Sequence, residues 1–296
     1  MSQAGLFPSE KGEEIWVERT DIAVSVPGEL YELGPHRLLC GDSSKAEDVD
    51  RLLGGAMIHI VNTDPPYNVK VEPRSNNAIA ARLTTWVPDA SAAVPTGPMR
   101  AKDRPLMNDF VSDEEFERLL LAWFGNMARV LLPGHAFYIW GGYSNCGNYP
   151  LAMKATGLRF AHVIIWVKRA VLGRKDFMGA HEWCFYGWRA GAGHRFFGPT
   201  NATDVWQVKK VNSQAMVHLT EKPVELARRA IQYSSQPGEN VLDLFGGSGS
   251  TMIGAALDGR RAFLMEMDPL YCDVIRRRWT KYADAYQIDA GSGALR

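Results

Sequence analysis

Asp64-Pro65-Pro66-Tyr67 brings together in four residues the groups needed to hold a planar base by its exocyclic amine. The Asp64 carboxylate can accept an N–H, and so can the carbonyl of Pro65, a residue with no N–H of its own to compete. The Tyr67 ring offers a face for stacking. Met57-Ile58-His59-Ile60-Val61 and the polar step Asn62-Thr63 precede this segment, and Gly54-Gly55 bound the run on its left. The pattern reads as a buried strand over residues 57–63. Two prolines stop it, since each fixes its own φ and lacks a donor, and the residue before a proline is pushed toward an extended conformation. The carboxylate is thereby held at the C-terminal edge of a sheet, where open α/β sheets bind ligands. The plainer alternative is a strand end with a proline turn and a surface tyrosine. Four residues alone do not decide between them.

A second constellation lies near the other end of the chain. Val241-Leu242-Asp243-Leu244-Phe245 reads as a buried strand, and Gly246-Gly247-Ser248-Gly249-Ser250-Thr251 as a tight turn into a helix over residues 252–258. The turn is not a dinucleotide fingerprint, because Met252 stands at the third glycine position, and no Gly-Lys-Ser/Thr makes it a P-loop. The next strand, residues 262–265, ends in Glu266, close to the ~20-residue spacing at which an acid reaches ribose hydroxyls from a glycine turn. Asp243, just before the turn, argues against a pyrophosphate. It favours a ligand with a cationic amino-acid end and a ribose, and S-adenosylmethionine has both.

The elements that would position these groups follow from apolar spacing. Arg37 to Gly41-Asp42 reads as a short strand, with Ser43 and Ser44 able to cap a helix over residues 45–53. Residues 113–132 carry Phe116, Leu119, Leu120, Trp123, Phe124, Met127, Val130 and Leu131 at helical spacing behind an N-cap Ser112, a core-facing helix ended by Pro133-Gly134. Strands are expected over 135–140, 162–168 and 182–188, a helix over 150–156, another after Pro223 at its first position, and a last one over about 270–285. His181-Glu182 invites an acid/base reading, but with no partner spacing it reads as a polar strand start. Residues 68–108 are poor in large apolar side chains, and a stretch this long is a lid or a disordered loop.

The chain of 296 residues, 46% apolar and 22% charged, is long enough for one large α/β domain that buries roughly 75% of its unfolded surface. No apolar run reaches the ~18 residues of a membrane span, and no signal peptide is visible. Cys40, Cys146, Cys184 and Cys272 are scattered without CxxC or HExxH spacing, which predicts reduced thiols, no metal and a cytoplasmic location. Formal net charge is zero, but residues 1–32 are acidic and residues 159–210 basic. Arg174, Lys175, Arg195, Lys209 and Lys210 in the basic stretch are candidate phosphate contacts, with Arg276-Arg277-Arg278 as the alternative. The competing reading is a solvated face.

Taken together, Asp64-Pro65-Pro66-Tyr67, then His218-Leu219-Thr220-Glu221-Lys222-Pro223, then Asp243-Leu244-Phe245-Gly246-Gly247-Ser248-Gly249 resemble, in kind and in order, the β-class amino-group DNA methyltransferases of the adenine-N6 type. The resemblance spans about Arg37 to Ala283. It implies a Rossmann-like α/β fold: a seven-stranded, mostly parallel methyltransferase sheet with one reversed strand, helices on both faces and a circularly permuted motif order. Residues 1–30 would be an extension and 31–296 a single domain. Asp64, Pro65, Pro66 and Tyr67 would hold the target base. Asp243, Phe245, Gly246, Gly247, Ser248, Gly249, Ser250 and Thr251 would form the S-adenosylmethionine turn, with Thr220 and Lys222 at the methionine end, Glu266 at the ribose, and Cys40 and Asp42 at the adenine. Many relatives carry a large target-recognition domain. This chain offers only residues 68–108 and the basic stretch 168–216.

The implied reaction is base flipping followed by in-line methyl transfer to adenine N6 in double-stranded DNA. No metal or membrane takes part, the protein is a monomer or homodimer, and a restriction endonuclease is a possible partner. Cytosine-N4 methylation faces the same chemical problem, but relatives with that activity more often have Ser in place of Asp64. A non-catalytic DNA-binding relative is opposed by intact Asp64, Tyr67, Gly247 and Glu266, and a nicotinamide oxidoreductase by the failed glycine pattern.

Overall fold

Ile60–Thr63, the strand that delivers Asp64, is buried along its whole length and sits at the centre of a nine-stranded sheet in the computed structural model, which describes residues 17, 22–68, 111–168, 179–209 and 222–295. In chain order the strands are β1 (Leu30–Leu33), β2 (His36–Cys40), β3 (Ile60–Thr63), β4 (Ala136–Gly141), β5 (Leu158–Val167), β6 (His181–Arg189), β7 (Val205–Gln207), β8 (Asn240–Asp243) and β9 (Arg261–Glu266). The helices are α1 (Ala46–Leu53), α2 (Asp113–Val130), α3 (Asn148–Thr156), α4 (Val224–Ser234), α5 (Ser250–Leu257) and α6 (Pro269–Tyr286). The spatial order is β1-β2-β9-β8-β3-β4-β6-β5-β7.

Alternation along the strands sends side chains into two cores. On one face Ile60, Tyr138, Val241 and Leu264 pack with Leu226, Ile231, Met252, Ile275 and Trp279 of α4, α5 and α6. On the other, Val61, Phe137, Leu242 and Phe263 pack with Val49, Leu52, Phe116, Trp123, Phe124 and Met153 of α1, α2 and α3. Ser112 caps α2 as its sequence predicts, its hydroxyl accepting from Glu115 N at 3.2 Å.

The sheet has two strands more than the seven expected. β1 and β7, of four and three residues, extend the two ends. Short edge strands give too few alternations to register as a pattern. β1 is antiparallel to β2, so two strands, β1 and β6, run against the rest. Part of the segment read as an extension is tied to the body: the amides of Val24 and Ser25 donate to Asp273 of α6 at 2.7 and 2.9 Å.

Because β2, β9, β8, β3 and β4 are parallel, their C-terminal ends share one edge. The ends of β5 and β7 and the start of β6 join it. Every strand-end residue singled out for chemistry lies there.

Candidate active site

Asp64 leaves the end of β3 with Tyr67 folded back onto it. The Tyr67 hydroxyl donates to Asp64 Oδ1 at 2.7 Å. Asn145, buried in a 3-10 turn after β4, holds the loop from the other side by donating to the Tyr67 carbonyl at 3.2 Å, while its Oδ1 accepts from Gly142 N at 3.0 Å. Asn68 closes the base of the segment beyond: its side chain accepts from Val111 N at 3.1 Å and donates to Val111 O at 3.2 Å. Residues 69–110, which contain most of the expected lid, lie outside the described residues.

Lys222 reaches Asp64 from just before α4. Its ammonium donates to Asp64 Oδ2 and lies 3.1 Å from the Tyr67 hydroxyl, 3.3 Å from Glu182 Oε2, and over the Tyr67 and Trp140 rings at 5.5 and 5.3 Å. The expectation was a place at the methionine end of a cofactor. In the structure its ammonium is on Asp64, and its carbonyl, which accepts from Ser250 Oγ at 2.9 Å, faces the glycine turn. Thr220 lies outside the described residues. Burial, with the Asp64 carboxylate beside it, pushes the Tyr67 phenol well above its ordinary range, so it stays a neutral donor.

Asp243 and Glu266 end the adjacent strands β8 and β9. Asp243 is buried; its Oδ1 accepts from the Thr63 hydroxyl at 2.7 Å and Phe245 N at 3.0 Å, and the Thr251 hydroxyl also bonds it. Glu266 accepts from Gly247 N at 2.8 Å and Asp268 N at 2.9 Å. Burial raises both carboxyls to about 7, against these hydrogen bonds, which favour the ionised form. Among the described residues neither has a cationic partner. A buried and a half-buried acid flanking a glycine turn, held by neutral donors, suit a ligand that brings both a positive charge and hydroxyls.

The turn has its own supports. Gly247 and Gly249 have φ of 53° and 82°, the left-handed region that glycine enters without cost, and Gly249 starts α5. A Cβ at Gly246 would come within 2.9 Å of Ile275. Arg278 of α6 donates to the carbonyl and hydroxyl of Ser248, both at 3.1 Å. Phe245 meets Trp123 edge-on at 4.9 Å. Cys40 pairs in register with Glu266. Asp42 instead caps its own loop, accepting from Ser44 N at 2.9 Å.

Of the expected phosphate contacts, Lys209 is exposed just after β7 at the site's edge of the sheet. Arg174, Lys175 and Lys210 lie outside the described residues. Arg195 is at the opposite edge: its amide donates to Gly134 O at 3.1 Å, before β4 begins, and its guanidinium pairs with Glu239 at 2.9 Å. That places it across the sheet from Asp64. On α6, Arg276 is buried over the Tyr31 ring at 4.1 Å, Arg278 is buried under the glycine turn, and Arg277 is half-buried. Glu182, beside Lys222, and Arg278, under the glycine turn, are placed by the structure in surroundings that sequence reasoning did not give them. The only hint of Glu182 was the His181-Glu182 pair.

A family model described as DNA methylase matches residues 58–196 and 196–277. The type II methyltransferase M2.DpnII of Streptococcus pneumoniae is 25% identical over 225 residues, covering 71% of this chain and 84% of that protein. Similar solved structures include the M1.HpyAVI–SAM complex, with a TM-score of 0.58, 17% identity and coverage of 81% of this chain and 97% of the other. The cytosine-N4-specific PvuII DNA methyltransferase has a TM-score of 0.59, 16% identity and coverage of 90% and 95%.

Proposed function

The chain belongs to the DNA methylase family of N6/N4 methyltransferases, and from that premise we propose that it transfers the methyl group of S-adenosylmethionine to the N6 amine of adenine in double-stranded DNA. The observation that carries the reading is the meeting of Asp64 and Tyr67 at the end of β3, next to the glycine turn flanked by Asp243 and Glu266 on β8 and β9.

The exocyclic amine of adenine is a poor nucleophile because its lone pair is delocalised into the ring. Asp64 and the Pro65 carbonyl accept its two N–H bonds, which turns the lone pair out of the ring plane and stabilises positive charge as it develops on nitrogen. Tyr67 supplies the stacking face. Asp64 is recessed, with a side chain only 24% exposed, so the base is turned out of the duplex to meet it. Bound S-adenosylmethionine supplies an electrophilic methyl on its sulfonium. Asp243, the turn and Glu266 would bind and orient it so that transfer is in line, the N–C bond forming as the S–C bond breaks and the methylated amine then losing one proton to solvent, a gain that comes from positioning. M1.HpyAVI was solved with this cofactor, which supports the assignment.

Cytosine-N4 transfer is the second reading. The likeness to the PvuII enzyme reflects the fold the two chemistries share. Asp64, where relatives of that type more often have Ser, favours adenine. The protein is expected to act in the cytoplasm, where it meets its DNA, and the type II relative supports a restriction endonuclease as a partner.

Incubating plasmid DNA with the protein and methyl-labelled S-adenosylmethionine, then digesting to nucleosides, tests the reading. Label on N6-methyladenine is expected. Label on N4-methylcytosine alone overturns the choice of base, and absence of label overturns the activity.

A further inference from the structure

Lys168, Glu182, Lys222, Asp64 and Tyr67 form one string of charged and hydroxyl groups along the active edge. Lys168, at the end of β5, bonds Glu182 Oε1 at the start of β6. Lys222 sits between the two carboxylates, donating to Asp64 Oδ2 with Glu182 Oε2 3.3 Å away on its other side. Glu182 Oε2 is buried and accepts no hydrogen bond among the described residues.

The Lys222 ammonium thus stands where the target amine must go. It is an N–H donor to Asp64, placed over the Tyr67 ring, so base and ammonium compete for one seat. Its side chain is only 11% exposed. Driving a nearly buried cation off its carboxylate with nothing to receive it is strongly unfavourable. Glu182 removes that obstacle, because a small shift of the ammonium would turn a 3.3 Å ion-pair contact into a hydrogen bond.

We propose that Glu182 is a positioning residue for methyl transfer: it receives the Lys222 ammonium when the target amine takes that ammonium's place on Asp64. The proposal rests on the reading of Asp64 as the base-holding carboxylate. No proton changes hands in the exchange. Lys222 passes from one carboxylate to the other, and the Asp64 Oδ2 it leaves is free to accept from the amine.

Steady-state labelling of plasmid DNA with wild type, E182Q, K222M, the double variant E182Q/K222M and K168M tests it. E182Q, whose amide is a far poorer partner for the ammonium, should raise the KM for DNA on the order of tenfold or more, the scale of one lost partner for a buried charge. Its affinity for S-adenosylmethionine, read by calorimetry, should stay at the wild-type value. Once the competing ammonium is gone Glu182 has nothing to receive, so E182Q/K222M should match K222M alone. K168M, which leaves Glu182 free for Lys222, should not reproduce the E182Q defect. Thermal midpoints report folding, and E182D, which keeps the charge, should recover part of the KM.

An E182Q enzyme with wild-type KM overturns the proposal, as do E182Q and K222M effects that simply multiply, a K168M defect equal to that of E182Q, or an E182D variant that recovers nothing. A wild-type protein that labels no adenine, or an Asp64→Ala variant at full rate, overturns the underlying reading of Asp64 itself, and is distinguishable from those results.

Discussion

The two halves of the active edge hold their carboxylates in opposite ways. On the β3–β4–β6 half, Asp64 is closed off by its own chain, with Lys222 on one oxygen and the Tyr67 hydroxyl on the other. On the β8–β9 half, buried Asp243 and half-buried Glu266 are held by amides and hydroxyls, with no cation among the described residues to offset their charge. On the proposed reading the first half discriminates by displacement: an incoming donor has to be better placed than the lysine already on Asp64. The second half waits for a charge. Any ligand that brings a cation gains what burial has withheld from these two acids.

The largest expected effect comes from breaking the first half. Asp64→Ala should lower kcat by about 10²–10³-fold or more, the cost of losing one preorganised acceptor of developing charge. Calorimetry should show S-adenosylmethionine affinity nearly unchanged, because on the proposed reading Asp64 touches the amine and Glu266 lies on the other half. Equal damage to both quantities would mean that the two halves are one site.

Glu266→Ala should act the other way round and weaken cofactor binding by about 1.5–3 kcal/mol, the range for hydrogen bonds to a charged group. Part of that loss would come from the turn, since Gly247 N loses its acceptor. Unchanged affinity in a titration would remove Glu266 from the pocket.

How far this division could be read from sequence follows from the separation of the partners. Asp64 with Tyr67, and Asp243 with its turn, lie within a few residues of one another, so local pattern and proline or glycine punctuation showed them. The strand ends followed because continuous apolar runs bounded by glycine and proline fix where a buried strand stops. Lys222 and Asp64 are 158 residues apart, and no periodicity connects them. Glu182 looked like a polar strand start because its meaning comes from Lys222 across the edge. Arg276-Arg277-Arg278 read as a basic run, yet Arg276 and Arg278 turn inward to Tyr31 and Ser248. A charge run carries no record of which face its helix buries.

The contrast also has a proton signature. Burial raises Asp243 and Glu266 to about 7, from ordinary values of 3.8 and 4.5. The folded protein without cofactor then binds these protons more tightly than the unfolded chain. Their contribution to stability falls as pH rises from about 4 to about 7, and is flat above that. A cation placed beside them favours the ionised forms, so cofactor binding should release protons, and affinity should rise with pH up to about 7. Calorimetry at pH 6, where an α-amino group of pKa ~8 is already protonated, in two buffers of different ionisation enthalpy, measures the release directly. Asp243→Asn should remove up to about one proton of it. Net proton uptake by the wild type would break the contrast between the halves.

The smallest expected effect concerns where DNA lies relative to the two halves. If the cofactor takes the β8–β9 half, the duplex has to approach from the β4–β6–β5–β7 half, where Lys209 is exposed just beyond β7. Arg195 is equally cationic but is paired with Glu239 at the far edge of the sheet. Neutralising a phosphate contact lowers the log–log salt dependence of DNA binding by roughly one unit per residue. Lys209→Ala should therefore flatten that slope by about one unit, and Arg195→Ala should leave it alone while costing some stability, since Glu239 Oε1 loses its cationic partner. Titrations of the two variants against plasmid fragments at several salt concentrations compare them directly. A slope that changes with Arg195 and not with Lys209 would put the duplex across the opposite edge, and the base would then have no short route to Asp64.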